Sequence, residues 1–301
     1  MAAVSRPHFE HGLKRWNADD DGVYILNRGD LSTERARLEY NHHNIWLPLC
    51  GGQLCPPQVL AHLRQLQAPR VAEIATGTGI WLREMATQLP ASAELRGIDM
   101  DTTKFPPASE LPKNMKMIQH NALRAFPAEM RGTFDMVHVR LISLGMKKGD
   151  WEIVAKNLYT LLKPGGYIHW EEVGDMGWKM VPPSKAFAEW DRVSSLWGLK
   201  HGRDPFMPAR LPLVLEDTGF KDVDYKTYNT FCTRDMLRDA MKKIAVEVVR
   251  PVMLAVLEDG GMETMQTVED IDRLEAGIRK DVVENGAMVG FYYNWVWGRH
   301  P

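Results

Sequence analysis

The fold of this chain is decided by one stretch, Val71-Ala72-Glu73-Ile74-Ala75-Thr76-Gly77-Thr78-Gly79-Ile80-Trp81. Its first part is mostly apolar and predicts a buried strand over 71–75, and a helix is predicted to begin at Ile80. Between them, Gly77 and Gly79 allow the backbone to turn sharply and to approach a ligand closely. The start of a helix also offers free N–H groups to a polar ligand. The stretch therefore predicts a cofactor loop in an α/β protein.

The residues after this loop continue the alternation of strands and helices. Further strands are predicted at 95–99, 115–119, 134–139 and 167–170, and helices at 80–89 and 151–162. Such alternation is typical of a mostly parallel sheet with helices on both faces. Near the C-terminus, apolar residues alternate with period two at Val289, Phe291, Tyr293, Trp295 and Trp297. This period predicts a strand, and together with a second strand pattern at 223–227 it favours an antiparallel edge on the parallel sheet.

Composition and charge exclude several classes of protein. The chain has 301 residues, of which 45% are apolar and 25% charged, as in ordinary globular proteins. Lys and Arg number 37 against 39 Asp and Glu, which leaves no basic surface for nucleic acid or an anionic membrane. No apolar run approaches the roughly 18 residues of a membrane span. The start lacks the apolar core of a secretory signal, and three cysteines do not make a disulfide framework, so we expect a cytoplasmic protein.

The chain is predicted to fold as an N-terminal part, 1–60, and a catalytic domain, 61–301. The N-terminal part comprises a polar arm over 1–30 and cap helices after Leu31. Helical insertions at about 176–217 and 231–286 interrupt the strand pattern of the domain and are rich in Trp and Met. We expect them to form a lid over the cleft, although aromatic residues at helical spacing also suit a filled core. The N-terminal helix is expected to close the other side through Tyr40 and His43.

The chemistry of the loop narrows the choice of cofactor. A dinucleotide fingerprint requires a third glycine where Leu82 stands, and the Gly-Lys-Ser/Thr of a Walker A loop is absent. S-adenosylmethionine suits the loop, because it presents an amino acid end instead of a pyrophosphate. Glu73 would favour the ammonium group of that end, either directly or by ordering the loop.

Polar residues at the ends of the next two strands extend this prediction. Asp99 is placed to bind the ribose hydroxyls, and Asn121 and Ala122 are placed to meet the adenine edge. Taken alone, Asp99 is equally typical of a solvated strand end and Asn121 of a turn. Their order along successive strand ends favours one ligand site at the carboxyl edge of the sheet.

Four segments together resemble the class I S-adenosylmethionine-dependent methyltransferases. These are 73–79, Gly97-Ile98-Asp99, 134–138 and Leu162-Lys163-Pro164-Gly165-Gly166. More narrowly, 34–38, 40–43 and the ending 298–301 resemble a fungal group that includes secondary-metabolite methyltransferases and LaeA-like regulators. The resemblance covers about residues 31 to 172 and the last ten. Ala75 stands where the family usually has its first loop glycine, a position that suits alanine if φ is negative there, and Asn121 stands where an acid is common.

The resemblance implies a Rossmann-like, doubly wound α/β fold. Its sheet would have seven strands, mostly parallel with an antiparallel C-terminal strand, and helical cap insertions. The implied cofactor is S-adenosylmethionine, and the implied partner is a small molecule, with a homodimer left open. The cofactor-binding positions carried over are Glu73, Ala75, Thr76, Gly77, Gly79, Asp99, Met100, Asn121, Ala122 and His138.

Methyl transfer from a sulfonium is a direct displacement, so an oxygen acceptor needs a base in line with it. The candidate histidines are His169, His138 and His43, with His42 beside His43. We prefer His169, because a polar residue is unexpected inside a parallel strand. A purely structural hydrogen bond is the alternative for His169, and backbone contact with the cofactor is the alternative for His138.

Substrate contacts and metal chemistry complete the prediction. Tyr40, Trp46, Arg140 and Trp170 are the expected substrate-binding residues, although Arg140 also suits a surface ion pair. Glu171 and Glu172 follow the fifth strand, but the fourth strand ends in basic and apolar residues. Half of a catechol-type Mg²⁺ site is thus missing, and we predict a metal-independent reaction.

Three functions remain open from the sequence. The first is O- or N-methylation of a small secondary metabolite, since the balanced charge opposes tRNA or DNA as substrate. The second is a LaeA-like regulator that acts through protein partners. The third is a methyltransferase-fold protein that catalyses a non-methylating, pericyclase-like rearrangement. The fold alone does not choose among them.

Overall fold

The computed structural model describes residues 31–173, 177–231 and 235–301, so the predicted arm at 1–30 lies outside it. Nine strands are found in these ranges. They are β1 (Arg70–Ile74), β2 (Glu94–Asp99), β3 (Met115–Gln119), β4 (Phe134–Arg140), β5 (Leu162–Val173), β6 (Lys179–Val181), β7 (Lys221–Asn229), β8 (Met288–Gly290) and β9 (Tyr292–Arg299). Most lie within two residues of a predicted strand, although β5 extends well beyond both ends of the predicted 167–170.

The described helices include those predicted at 80–89 and 151–162, the cap helices expected after Leu31 and several within the two predicted insertions. They are α1 (Leu31–Asn41), α2 (Leu47–Leu49), α3 (Pro57–Gln65), α4 (Ile80–Gln88), α5 (Asp150–Leu161), α6 (Lys185–Lys200), α7 (Met207–Thr218), α8 (Asp235–Glu247), α9 (Val249–Glu258) and α10 (Val268–Arg279). A π-helical turn, His42–Trp46, joins α1 to α2. Across the described ranges, no helix is both long enough and apolar enough to cross a membrane.

Seven of these strands form one sheet in the order β3-β2-β1-β4-β5-β9-β7. The strands from β1 to β5 pair in parallel, and β9 runs antiparallel to both β5 and β7. The predicted α/β sheet, with its antiparallel C-terminal strand, is confirmed. The chain winds outward in one direction from β1 and in the other from β4, so a crevice forms between the carboxyl ends of these two strands.

Separate apolar cores cover the two faces of the sheet. On one face, α3 and α4 pack Leu63 and Trp81 against β1 and β4. On the other, α5 and α7 bury Trp151 and Leu211 against Ile168. The α7 segment falls inside the insertion 176–217 that we expected to be a lid. Its apolar face packs on α5 and the sheet instead, so this part of the insertion belongs to the body of the fold.

A third core lies in the cap formed by α6, α8, α9 and α10. The alternating C-terminal residues face this core, including Phe291, Tyr293 and Trp295. The sequence predicted one strand here, but the chain changes sheets at Phe291. β8 pairs with the short strand β6, whereas β9 enters the large sheet. The alternation persists across the change, since both strands bury the same side against the cap.

Candidate functional site

A cavity of about 1250 Å³ lies over the carboxyl ends of the parallel strands. Its walls come from the strand-end loops on one side and from α1, α6, α8 and α9 on the other. We call the part lined by Ala75, Thr76, Gly77, Asp99, Met100, Asn121 and Ala122 the cofactor half. We call the part lined by Tyr40, Trp46, Arg140, Trp178, Trp190, Asp191 and Phe291 the acceptor half.

The loop after β1 turns through left-handed backbone at three positions. Ala75 and Gly77 have φ of +55°, and Gly79 has φ of +71°. A Cβ at Gly77 would lie 3.3 Å from Leu38 Cδ1 of α1, so a side chain there would press on the N-terminal helix. The positive φ of Ala75 does not meet the condition under which alanine suits this position. Its conformation is one that glycine adopts freely and alanine only with strain, which concentrates at functional loops.

Asp99 connects this loop to the end of β2. Its Oδ2 accepts a hydrogen bond from the Gly77 N–H at 2.9 Å, and its Oδ1 accepts one from the Asp101 N–H at 3.0 Å. Burial raises the pKa of the Asp99 carboxyl, while these two N–H groups oppose the rise. Each carboxylate oxygen keeps capacity for a second hydrogen bond toward the cavity.

The end of β3 supplies the next part of the cofactor half. Asn121 uses its side-chain oxygen to accept from the Leu123 N–H at 2.9 Å. With Ala122 and Met100 it lines the cavity beside Asp99. One wall of the cavity therefore carries Gly77, which has no side chain, the carboxylate of Asp99 and the polar turn at Asn121. These groups fit the amino acid, ribose and adenine parts of S-adenosylmethionine in that order.

A buried polar network lies behind this wall. The Thr76 hydroxyl donates to Glu73, whose Oε1 lies 3.6 Å from His138 Nδ1. His138 Nε2 lies 2.9 Å from Glu171, and the Tyr293 hydroxyl donates to the same carboxylate. Glu73 and His138 are not among the residues that line the cavity. Of the two roles predicted for Glu73, this placement fits ordering of the loop.

The charge state of the network follows from its partners. Burial alone would raise the pKa of Glu171, but the hydrogen bond from His138 and nearby positive charges outweigh it and lower the value to about 2. His169 lies in the same interior, with its ring edge-on to Trp295 at 4.7 Å and its Nδ1 3.6 Å from Glu171 Oε1. Among the described residues, neither ring nitrogen makes a hydrogen bond. Burial lowers the pKa of His169 to about 3, so the ring stays neutral.

Three residues predicted to act in catalysis or substrate binding do not line the cavity. His169 is fully buried behind the wall, so no acceptor reaches it. Trp170 points to the opposite face of β5, as alternation along a strand requires, and stacks on Trp151 at 5.7 Å beneath α5. His43 is half-exposed, pairs with Glu84 at 3.3 Å and does not line the cavity either.

Arg140, at the end of β4, holds the π-helical turn in place. Its Nη1 donates to His42 Nδ1 at 3.0 Å, and His42 Nε2 lies 3.0 Å from Glu84 of α4. Burial, followed by the charge of Arg140, lowers the pKa of His42 to about 4. His42 is therefore neutral, accepts from Arg140 and donates to Glu84. Arg140 also lines the acceptor half, as predicted for a substrate contact.

The aromatic wall of the acceptor half comes from distant parts of the chain. Phe291 contacts Trp46 at 5.6 Å and Trp178 at 5.0 Å between ring centroids. Trp178 in turn meets Trp190 of α6 at 6.1 Å, and Tyr40 lies farther along the same cavity. Sequence reasoning named Tyr40 and Trp46 but not Trp178, Trp190 or Asp191 as site residues. No local motif joins these segments, and only the abundance of tryptophan indicated an aromatic pocket.

Two groups of described residues carry atoms of the kinds that bind metals. His138, His169 and Glu171 hold such atoms within 4.8 Å of one another, as do His42, His43 and Glu84. In both groups, hydrogen bonds or ion pairs already join members to one another. Glu172 accepts the N–H groups of Ile142 and Ser143 at 2.7 and 3.1 Å. The metal-independent reaction therefore stays a prediction.

Comparisons with known proteins agree with this arrangement. Residues 71–166 match the model of a family described as "Methyltransferase domain". Methyltransferase grgD of a Penicillium species is 28% identical over 274 residues, which cover 88% of this chain and 92% of the relative. N-methyltransferase gliN of Aspergillus fumigatus is 28% identical over 294 residues, which cover 94% of this chain and 98% of the relative.

A solved structure supports the fold alone. Phosphoethanolamine N-methyltransferase 2 of Haemonchus contortus, in complex with phosphomonomethylethanolamine and S-adenosylhomocysteine, superposes with a TM-score of 0.52 at 16% identity. The match covers 92% of this chain but only 60% of that protein. The seven-stranded architecture is thus shared, and the remaining length of that protein has no counterpart here.

Proposed function

Because the chain belongs to the S-adenosylmethionine-dependent methyltransferases, we propose that it methylates a nitrogen atom of a small molecule bound in the acceptor half. The observation that carries the proposal is the single cavity of about 1250 Å³ that joins the two halves. A cavity with a polar end and an aromatic end accommodates a cofactor and a second small molecule together.

The cofactor half would hold S-adenosylmethionine through residues already described. Gly77 gives the backbone room, Asp99 would bind the ribose hydroxyls, and Asn121 with Ala122 would meet the adenine edge. Thr76 is fixed by its hydrogen bond to the buried Glu73, so the loop is ordered before the cofactor arrives. When bound, S-adenosylmethionine supplies a methyl group on a positively charged sulfur.

The absence of a histidine from the described wall of the acceptor half supports a nitrogen acceptor. His120 is the only histidine of the described ranges that lines the cavity, and it lies beside Asn121 in the cofactor half. A hydroxyl acceptor would need a base close to the transferred methyl group. A neutral nitrogen attacks with its own lone pair and loses its proton to water afterwards. The name N-methyltransferase, carried by the gliN relative, agrees with this acceptor.

The acceptor half would orient the substrate by packing and by one cation. Trp46, Phe291 and Trp178 present flat apolar surfaces that exclude water and align an aromatic or cyclic acceptor. Arg140 is fixed by His42 and would donate its remaining N–H groups to an oxygen of the substrate. Alignment of the acceptor is the main contribution that a methyltransferase makes to an in-line displacement.

The proposal is tested by binding and by product identification. Calorimetry with S-adenosylhomocysteine should show one site per chain. The protein is then incubated with S-adenosylmethionine carrying a deuterated methyl group and with small-molecule extracts of fungal cultures. A labelled product with the methyl group on nitrogen is expected. A label on oxygen would disprove the nitrogen acceptor, and cofactor binding without any labelled product would favour a regulator or a non-methylating enzyme.

A further inference from the structure

One face of α6 forms a polar stripe along the acceptor half. Asp191, Ser194, Ser195 and Gly198 recur at helical spacing, and all four line the cavity. Asp191 is half-buried and lines the cavity. A carboxylate in such a position is expected to have a partner.

Other acids on the cavity wall have their partners within the protein. Glu34 binds Arg37 at 2.7 Å, Glu275 binds Arg250 at 2.9 Å, and Asp204 accepts the N–H of Phe206 at 3.0 Å. These carboxylates are satisfied without a ligand. They act in holding the cavity walls rather than in recognising what enters.

Asp191 differs from these acids. Within the described ranges its carboxylate makes no hydrogen bond and no ion pair, and Lys179 influences it only from a distance. Burial raises the pKa of the Asp191 carboxyl, because it penalises the charged form, and a positively charged ligand would offset that penalty. Within the described ranges, the Asp191 carboxylate therefore lacks a positively charged partner in direct contact.

Aromatic groups line the same half of the cavity as Asp191. Trp190 precedes Asp191 on α6 and is 5% exposed, and no described residue accepts a hydrogen bond from its indole N–H. Its ring meets Trp178 edge to face at 6.1 Å. A cation beside a carboxylate gains further stabilisation from the faces of tryptophan rings. An apolar wall with one unpaired carboxylate is suited to an organic amine rather than to a hydrated metal ion.

We propose that the substrate carries a cationic amine, which Asp191 binds as an ammonium group while the apolar body packs against Trp190 and Trp178. The proposal rests on the proposed function and names its substrate class. A protonated amine has no lone pair, so the group bound by Asp191 is an anchor. The atom that receives the methyl group lies elsewhere on the same molecule.

Calorimetry on the full chain saturated with S-adenosylhomocysteine tests the proposal. The probes are tryptamine and its neutral counterpart tryptophol, which share a ring system and differ in charge. Wild type should bind tryptamine at least about tenfold more tightly than tryptophol, as expected for a charged hydrogen bond. Asp191→Asn should remove that preference, whereas Asp204→Asn, a cavity acid that already has a partner, should keep it.

Charge reversal gives a second readout. Asp191→Lys should bind indole-3-propionate more tightly than tryptamine, which reverses the order of the wild type. Equal or undetectable binding of tryptamine and tryptophol to wild type overturns the proposal, as does an unchanged preference in Asp191→Asn. S-adenosylhomocysteine affinity is measured separately in each variant. If wild type binds S-adenosylhomocysteine but shows no preference for the amine, only this inference is disproved. If wild type does not bind S-adenosylhomocysteine, the proposed function is disproved.

Discussion

The two halves of the cavity are built in different ways. The cofactor half comes from short loops after consecutive strands, and its members hold one another by hydrogen bonds such as Gly77 to Asp99. The acceptor half is assembled from Trp46, Trp178, Asp191 and Phe291, which lie on separate elements and meet through packing. The first half therefore depends on backbone conformation at a few positions. The second depends on how the cap docks onto the sheet.

The largest effect is expected from Gly77→Val. A branched side chain disfavours φ of +55°, and its Cβ would press on Leu38, so S-adenosylhomocysteine binding should be abolished in calorimetry. The matched control is Gly132→Val, which has a similar φ of +62° but no atom within 4 Å of its Cβ. In both variants a branched side chain is placed on backbone with a positive φ. Retained binding in Gly77→Val would mean that the loop is only a turn.

A smaller loss is expected from Asp99→Ala. Removing a charged hydrogen-bond partner should weaken S-adenosylhomocysteine binding by roughly 1.5–3 kcal/mol. Asp204→Asn changes an acid on the cavity wall outside the cofactor half and should leave this affinity unchanged. Equal effects of the two substitutions would show that the halves do not act separately. Thermal unfolding of each variant separates lost binding from lost folding.

Glu172, which accepts hydrogen bonds from the loop after β4, is expected to make the stability of the protein depend on pH. Burial raises the pKa of Glu172 to about 7 from 4.5, partly opposed by the N–H groups of Ile142 and Ser143. The folded state thus holds a proton that the unfolded state has released, and stability falls as pH rises from about 4.5 to 7, by at most about 1.4 kcal/mol per unit. Glu172→Gln should remove this fall in unfolding free energy measured by denaturant titration. An unchanged slope would exclude Glu172 as its source.

The smallest effect is expected from Ala75→Gly. Left-handed backbone costs an L-residue about 1–2 kcal/mol, and part of the gain is offset by the greater freedom of glycine in the unfolded chain. The free energy of unfolding should rise by less than about 1 kcal/mol. Ala72→Gly, in the adjacent strand, should lower it, because a buried side chain is lost without relief of strain. A decrease in both variants would contradict the strain assigned to Ala75.

The sequence predicted much of the body of the fold. Periodicity placed most of the strands of the large sheet, because each strand carries an apolar pattern of its own. It did not predict β6 or the change of sheet at Phe291, because a local sequence pattern does not specify which strands pair. It also assigned α7 to the lid, because an amphipathic helix looks the same whether it covers a sheet or a cavity.

For the site, the sequence by itself determined the cofactor half. Gly77, Asp99 and Asn121 follow successive strands, and a doubly wound sheet brings such strand ends together whatever the rest of the chain does. Only the tertiary structure decided which side of the wall each histidine occupies. It placed His138 and His169 behind the wall and brought Asp191 into one cavity with Trp46, Trp178 and Phe291 from other segments. These outcomes depend on long-range packing, in which a residue's neighbours come from elements far away in the chain.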